Sequence, residues 1–361
     1  MDLVLPDRHF VSLQILRGLA ALGVVGLHCA GEINTVIPSM PYSWTLNGAA
    51  GVDTFFILSG FVIELTIRQF RANADGWRRF AWHRFARIAP LYWALTGIKV
   101  LVAAVIPSAM RAYSIVWPNV LASFFLIPFA AGNDKTAFPV LVVGWTLMFE
   151  MLFYIVATIS LAFRTPLLRT SAAVLIPLAF ISLFQPEWPI WLNFYAHPFV
   201  LEFLVGIVIA RLTLKGWVLP PLVAGASIVA GLLFIGLVPG TADQTTRLIL
   251  FGIPGTLFVA GFVGLERFAR IQQFKPLAIL GNASYAIYLI HTQIVAVLII
   301  ALKSGFFADV NPFVLVAGTV AFCIIAGIAI FYWFEKPVKK VLLGFLSPET
   351  SPGYRREFGK I

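Results

Sequence analysis

The chain has 361 residues, of which 60% are hydrophobic and only 12% are charged. A soluble domain of this length needs roughly twice that charged share to cover its surface, so the composition excludes a soluble globular protein. The net charge of +10 is concentrated in short segments between apolar blocks. That pattern is typical of loops facing anionic lipid, so no nucleic-acid partner is expected.

The apolar blocks are mostly about 18–25 residues long, the length that crosses a hydrocarbon core about 30 Å thick. The first block contains Arg17 and is not followed by a small-x-small cleavage site, which favours a retained span over a signal peptide. Cys29 and Cys323 lie in apolar segments and are expected to be small buried hydrophobes. The blocks fall near 11–31, 49–67, 88–106, 114–130, 141–163, 171–185, 194–210, 218–238, 248–264, 277–302 and 313–334.

Loop charge predicts the topology. Residues 68–87 are interpreted as a loop. This loop carries six arginines and is assigned to the cytoplasm, together with the N-terminus two spans earlier. If 114–130 crossed the membrane, most later basic loops would face outside. This segment is also short and contains Pro118 and Pro128, so it is interpreted as a re-entrant or interfacial hairpin on the outer side. Most of the 26 Lys and Arg residues then face the cytoplasm.

The sequence therefore predicts an all-α polytopic membrane protein with about ten transmembrane helices and both termini cytoplasmic. Residues 1–346 are interpreted as one membrane domain, and 347–361 as a polar cytoplasmic tail. The expected location is the bacterial cytoplasmic (inner) membrane, as a multi-pass protein.

Ionisable side chains inside membrane spans are costly and mark functional sites. Five such residues fall in the outer half of the predicted bilayer, which predicts a common polar cavity. They are His28, Asp53, Glu150, Glu202 and His291. Separate structural pairs are the alternative, and Glu202 in particular could be the partner of a neighbouring span.

Arg17 and His28 are eleven residues apart, which places them on one helix face about 16 Å apart along the axis. A cation near the cytoplasmic end and an imidazole near the outer end suit a reaction that bridges the membrane. A snorkelling arginine with an interfacial histidine is the alternative. Glu64 and Arg68 are spaced as a local i,i+4 ion pair, and Lys99 is assigned no role.

A cluster of arginines enters the third apolar block. Arg84 and Arg87 lie one turn apart, so their guanidinium groups can bind phosphates together. A phosphate-bearing cytoplasmic donor such as a coenzyme A thioester would fit, while an ordinary positive-inside loop is the alternative. No metal is expected.

Two further segments carry small or polar residues in apolar surroundings. Ser284, Tyr288 and His291 fall on one side of a helix and could face a hydroxylated acceptor. The glycines of Gly51-Val-Asp-Thr-Phe-Phe-Ile-Leu-Ser-Gly60 predict either close helix packing or an unwound stretch that lines a ligand.

Six segments, in family order, resemble the family-3 membrane acyltransferases, and the surroundings of Gly144–Tyr154 are most similar to the exopolysaccharide-production branch. The segments cover about 10–337. They are Leu16-Arg-Gly-Leu-Ala-Ala with His28, the segment Gly51–Val62, Arg84-Phe-Ala-Arg-Ile-Ala-Pro-Leu-Tyr-Trp93, Trp145-Thr-Leu-Met-Phe-Glu-Met-Leu-Phe-Tyr154, Leu280-Gly-Asn-Ala-Ser-Tyr-Ala-Ile-Tyr-Leu-Ile-His291 and Phe334-Glu-Lys-Pro337.

The resemblance implies transfer of an acetyl or similar group from cytoplasmic acyl-CoA to an extracytoplasmic or lipid-linked saccharide. It implies that Arg17, Arg84 and Arg87 orient the acyl-CoA and that His28 is the general base or forms an acyl intermediate. The other expected roles concern His28 and the acceptor. Glu150 or Asp53 would orient His28, and Ser284, Tyr288, His291 and Glu202 would bind the acceptor or stabilise the oxyanion. Polysaccharide-assembly proteins are possible partners.

Two rival functions remain open. A secondary transporter of a small anionic or sugar-like solute would also have about ten spans and buried ionisable groups, but the chain shows no internal repeat and a transporter gains nothing from the arginine cluster. A non-catalytic partner in a polysaccharide-export complex would tolerate replacement of His28.

Overall fold

The computed structural model describes residues 10–38, 40, 43–106, 115–130, 137–184, 188–237, 244–266, 274–307 and 309–345. All regular elements in these ranges are helices, so the predicted all-α class is confirmed. The α-helices are α1 (Val11–Asn34), α2 (Ala50–Arg71), α3 (Gly76–Val105), α4 (Trp117–Phe124), α5 (Trp145–Ala162), α6 (Leu167–Ile181), α7 (Ile190–Tyr195), α8 (Leu201–Leu214), α9 (Pro221–Leu237), α10 (Gln244–Leu250), α11 (Gly252–Leu265), α12 (Lys275–Asn282), α13 (Ser284–Lys303), α14 (Pro312–Ile330) and α15 (Lys336–Gly344). The predicted tail 347–361 lies outside the described ranges.

Seven helical segments of the described chain are long and apolar enough to cross a bilayer. They are Val11–Asn34, Thr45–Arg71, Gly76–Val105, Val142–Ala162, Thr246–Leu265, Ser284–Lys303 and Pro312–Gly344. Two shorter apolar helices, α6 and α9, accompany them. A multi-pass membrane protein is thereby confirmed, whereas the count of ten spans and the cytoplasmic position of both termini stay predictions.

The segment 115–130 forms only one short helix. Helix α4 has 8 residues, which cover about 12 Å, less than half of the hydrocarbon core. It is held against α3, because the Tyr92 hydroxyl donates to the Ser123 carbonyl (3.0 Å) and the Trp93 indole donates to the Phe124 carbonyl (2.7 Å). This geometry agrees with the interpretation that the segment does not span the membrane.

The prediction that residues 68–87 form an arginine-rich loop is wrong. Helix α2 continues to Arg71 and α3 begins at Gly76, so only residues 72–75 connect them. The cluster from Arg78 to Arg87 therefore lies on the first turns of α3. Hydropathy marks only the part of a helix inside lipid, and arginine is a good helix former, so the helix extends beyond its apolar block.

Glycines on α2 bring neighbouring backbones unusually close. A Cβ atom on Gly60 would lie 2.1 Å from the Phe203 carbonyl oxygen of α8, and one on Gly51 would lie 2.4 Å from the Ala20 carbonyl oxygen of α1. The whole stretch Gly51–Gly60 is helical. Its glycines therefore serve close packing rather than an unwound ligand site, and they fix α2 at the centre of the bundle.

The apolar block 277–302 is divided at Ala283 into α12 and α13. Helix α12 packs on α1, because a Cβ on Gly281 would lie 1.9 Å from the Gln14 carbonyl oxygen. The new helix then starts at Ser284, inside the bundle. Cys29 and Cys323 are buried free thiols, as expected for small hydrophobic residues.

Candidate active site

A cavity of about 140 Å³ lies among α1, α2, α3, α5 and α13. Its walls are mixed, with apolar side chains such as Phe55 and Leu147 beside polar groups. Many of the residues singled out in the sequence meet here, although they come from distant parts of the chain. The predicted site residues that line it are Arg17, Arg84, Arg87, Glu150, Ser284 and Tyr288.

Two of the arginines, Arg84 and Arg87, are held firmly from α3. Arg84 donates through Nη2 to Thr66 Oγ1 (3.2 Å) and lies over the Tyr154 ring, 5.6 Å from its centroid. Arg87 forms an ion pair with the buried Glu335 and lies 5.4 Å from the centroid of the Tyr285 ring. A guanidinium group has five N–H donors, so each arginine keeps donors beyond these contacts.

Arg17 reaches the same cavity from α1. It donates through Nη1 to Gln14 Oε1 (3.3 Å) on its own helix. The cavity wall thus carries three guanidinium groups, while Glu150 in the wall and Glu335 beside Arg87 supply the nearby carboxylates. The balance of charge favours an anionic ligand such as a phosphate.

Glu150 lies across the cavity on α5. It accepts a hydrogen bond from the Tyr154 hydroxyl one turn later and another from Ser59 Oγ on α2 (3.3 Å). Tyr154 and Ser59 line the cavity as well. These contacts orient Glu150 towards the arginine side of the cavity.

The α13 side of the cavity supplies hydroxyl groups. Tyr288 Oη lies 3.0 Å from Thr146 Oγ1 and donates to the Val143 carbonyl (3.2 Å). Ser284 Oγ is buried and has no hydrogen-bond partner in the described part of the chain. A buried hydroxyl without a partner in a cavity wall is available to a bound substrate.

His28 and His291 form a pair just beyond this wall. Their ring centroids are 5.1 Å apart with an interplanar angle of 67°. Neither ring lines the cavity, but His291 lies 5.7 Å from the ring of Tyr288, which does. Glu32 lies one turn beyond His28 and is close enough to act on its charge.

Asp53 and Glu202 belong to a separate buried cluster. Both are fully buried, and Arg247 donates to both Asp53 oxygens at 2.9 and 2.8 Å. Glu202 lies beside Asp53, with Oε1 3.0 Å from where a Cβ on Gly252 would stand. The single cavity predicted for the five outer ionisable residues is therefore wrong, and Glu202 fits the structural alternative.

The predicted orientation of His28 by Asp53 or Glu150 is also wrong in this geometry. Both carboxylate oxygens of Asp53 accept hydrogen bonds from Arg247. Glu150 accepts hydrogen bonds from Tyr154 and Ser59. The residues beside His28 are His291 and Glu32.

Several residues of the site were missed in the sequence. Thr146 and Tyr154 stand in the same motif as Glu150, and their i,i+4 spacing to it was the available signal. Glu335 lies in Phe334-Glu-Lys-Pro337 and belongs to the π-helical stretch Phe331–Glu335, a geometry frequent at functional sites.

Glu64 pairs with Arg211 of α8 (2.9 Å) rather than with Arg68, which is exposed. The close packing of α2 on α8 brings this distant partner nearer than the local one. In the described ranges, no group of three or more His, Cys, Asp or Glu side chains is placed to hold a metal ion.

Comparison with known proteins supplies the family. An acyltransferase-domain model matches residues 10–333. The chain is 34% identical over 302 residues to the exopolysaccharide production protein ExoZ of Rhizobium meliloti, covering 81% of this chain and 89% of that protein. It is 26% identical over 322 residues to the acyltransferase MdmB of Streptomyces mycarofaciens, covering 79% and 78%.

A third relative is longer than this chain. The peptidoglycan O-acetyltransferase OatA of Listeria monocytogenes is 23% identical over 322 residues, which cover 80% of this chain but 50% of that protein. No solved structure matches the chain.

Proposed function

This chain belongs to acyltransferase family 3, and from that premise we propose that it transfers an acetyl or similar acyl group from cytoplasmic acyl-CoA to a hydroxyl of an extracytoplasmic or lipid-linked saccharide. The observation that carries the proposal is the cavity itself. Its walls carry three arginines from two helices together with the hydroxyl groups of Ser284 and Tyr288. A histidine pair lies just beyond Tyr288.

The three arginines in the cavity wall support an acyl-CoA donor. Coenzyme A carries phosphates, and arginine binds phosphate oxygens through paired N–H groups. Helix α1 is continuous from Val11 to Asn34, so Arg17 and His28 are about 16 Å apart along it. A donor held by its phosphates at Arg17 has a long pantetheine arm that can carry the thioester towards His28.

The proposed reaction is a single acyl transfer. A ring nitrogen of His28 takes the proton of the acceptor hydroxyl, and the hydroxyl oxygen attacks the thioester carbonyl. The carbon–sulfur bond breaks, the ester forms, and the coenzyme A thiolate receives the proton from His28. The buried Ser284 hydroxyl, which has no partner in the described part of the chain, would donate to the oxyanion during attack. An acyl-histidine intermediate would divide the same transfer into two steps.

The names of two relatives support a saccharide acceptor. ExoZ is named for exopolysaccharide production and OatA for O-acetylation of peptidoglycan. An acceptor of this kind is made or exported at the bacterial cytoplasmic membrane, which agrees with a multi-pass protein that takes its donor from one side. Polysaccharide-assembly proteins are the partners that such a reaction would need.

The proposal is tested by reconstituting the purified protein in liposomes with radiolabelled acetyl-CoA and a saccharide acceptor. We expect label to appear as an alkali-labile ester on the saccharide, with one free thiol released for each ester formed. Uptake of solute into the liposomes without thiol release would contradict acyl transfer and support a transporter.

Replacement of Arg84 by glutamine is expected to raise the KM for acyl-CoA by about 10–100-fold, because a charged hydrogen bond to phosphate is lost. Since Arg84 is assigned to the donor, the KM for the saccharide should stay within about threefold. Steady-state kinetics with each substrate varied in turn measure both values.

Arg78→Gln is the matched control for Arg84→Gln. Arg78 lies on the same helix, but its side chain is 70% exposed and its one ion pair, to Asp75, spans 3.9 Å. Its replacement should leave both KM values near those of the wild type. Equal effects of the two replacements would show that Arg84 acts only through general surface charge.

A further inference from the structure

The hydrogen bonding of His291 fixes its tautomer. Its Nδ1 contacts the backbone carbonyl oxygen of Tyr288 on the preceding turn. A carbonyl oxygen can only accept, so Nδ1 carries the hydrogen of this bond. In a neutral imidazole the other nitrogen, Nε2, then has a free lone pair and is an acceptor.

That acceptor is buried without a partner. His291 is fully buried, and its Nε2 makes no hydrogen bond to any described residue. Buried polar atoms are almost always paired, so an unpaired one calls for an explanation. The ring of His28 lies against it, with the two centroids 5.1 Å apart.

This separation is the one that an imidazole–imidazole hydrogen bond requires. In each of the two rings the bonded nitrogen lies about 1.1 Å from the centroid, and an N–H···N bond is about 2.9 Å long. The two centroids are then about 5.1 Å apart. Rotation of the His28 ring about its Cβ–Cγ bond can therefore direct an N–H towards His291 Nε2 without moving either helix.

We propose that His291 is a positioning residue that fixes the tautomer of His28. Its Nε2 accepts a hydrogen bond from one nitrogen of His28, so the other nitrogen of His28 is unprotonated and available to the acceptor hydroxyl. This inference rests on the proposed role of His28 as general base. It gives His291 the place that a carboxylate often holds behind a catalytic histidine.

The proton balance of the proposed pair is simple. When His28 takes the proton of the acceptor hydroxyl, it becomes an imidazolium whose second N–H remains bonded to His291 Nε2. Glu32, one turn away on α1, lies near enough to favour this positive charge. The proton then passes to the departing coenzyme A thiolate, and His28 returns to its starting tautomer.

The test combines imidazole ¹⁵N spectra with kinetics on the whole protein in detergent. The chain has 5 histidines, and loss of one signal in His28→Gln assigns the His28 resonance. We expect a single His28 tautomer in the wild type and a mixture in His291→Phe. We also expect kcat to fall roughly a hundredfold while the KM of each substrate stays within about threefold, since only the base is affected.

A second variant and a control keep the test decisive. His291→Asn retains a side-chain amide that can donate to the Tyr288 carbonyl, and it serves if the phenylalanine variant does not fold. His197→Phe is the matched control, because His197 is a half-buried histidine that is stacked on Phe199 and has no contact with His28 in the described structure. The control should keep the His28 tautomer and the wild-type kcat.

The outcomes separate this inference from the proposed function. An unchanged His28 tautomer and kcat in both His291 variants, together with loss of transfer in His28→Gln, would overturn the positioning role and leave the proposed reaction intact. Wild-type transfer in His28→Gln would overturn the proposed base and this inference with it. A mixed tautomer with lowered kcat in either His291 variant supports the positioning role.

Discussion

Replacement of His28 by alanine is expected to lower kcat for acyl transfer by about 10²–10⁴-fold, the usual contribution of a general base. The arginines that line the cavity on α1 and α3 remain in place in this variant. Binding of acyl-CoA should therefore be retained while ester formation stops. The measurement is single-turnover transfer from labelled acetyl-CoA, with donor binding determined separately by equilibrium titration.

His28→Gln is the companion variant, because it keeps a polar side chain of similar length but cannot take a proton. It should lose as much activity as His28→Ala. Transfer within about threefold of the wild type in either variant would remove His28 from the chemical step. Since His28 packs against His291 in a buried region, the unfolding midpoint of each variant must be compared with that of the wild type.

The contrast with Arg84→Gln makes this result more informative. That variant is expected to change donor KM, whereas His28→Ala is expected to change kcat, because Arg84 is assigned to the donor phosphates and His28, which lies beyond the cavity wall, to the proton transfer. A protein that only transported acyl-CoA or a sugar would not divide its kinetic parameters between these two positions.

The helical class and the identity of the membrane-crossing blocks could be predicted, because lipid requires long apolar helices. The ends of those helices could not be predicted equally well. Helix α3 starts at Gly76, twelve residues before the apolar block at 88. Hydropathy could not predict this start, because it does not show how far a helix continues outside the membrane. The break at Ala283 was likewise hidden inside one continuous apolar block.

For the site, the type of residue was easier to predict than its neighbours. An ionisable residue in a span is conspicuous, so Arg17, Glu150 and His291 were all found. Which of them face one cavity depends on side-chain direction and helix packing. Asp53 shows the limit most clearly, since its partner Arg247 is 194 positions away and stands just before the apolar block 248–264, outside every predicted span.

The ion pair between Asp53 and Arg247 lies inside the protein, since the Asp53 side chain is completely buried and that of Arg247 is 19% exposed. Arg247 also lies over the rings of Trp145, Phe199 and Phe251 at 5.7–5.8 Å from their centroids. The ion pair thus ties α10 to α2 and to the start of α5. It holds the elements around the cavity without entering it.

Replacement of Arg247 by methionine is expected to lower the free energy of unfolding by about 3–5 kcal/mol, because it leaves a buried carboxylate unpaired beside Glu202. Asp53→Leu combined with Arg247→Met should recover most of that loss, since two apolar side chains then replace the ion pair. Denaturant titration in mixed micelles measures the four members of this double-mutant cycle.

Arg211→Met supplies the comparison for Arg247→Met, because it breaks the Arg211–Glu64 pair, whose arginine is 31% exposed. Glu64 is also buried, at 6% exposure, but it accepts one hydrogen bond from Arg211 whereas Asp53 accepts two from Arg247. The loss of Arg211 should therefore cost less than that of Arg247. Equal costs would mean that the second hydrogen bond and the complete burial of Asp53 add nothing. A stable Arg247→Met variant with reduced acyl transfer would instead move Arg247 from the supporting framework to the reaction itself.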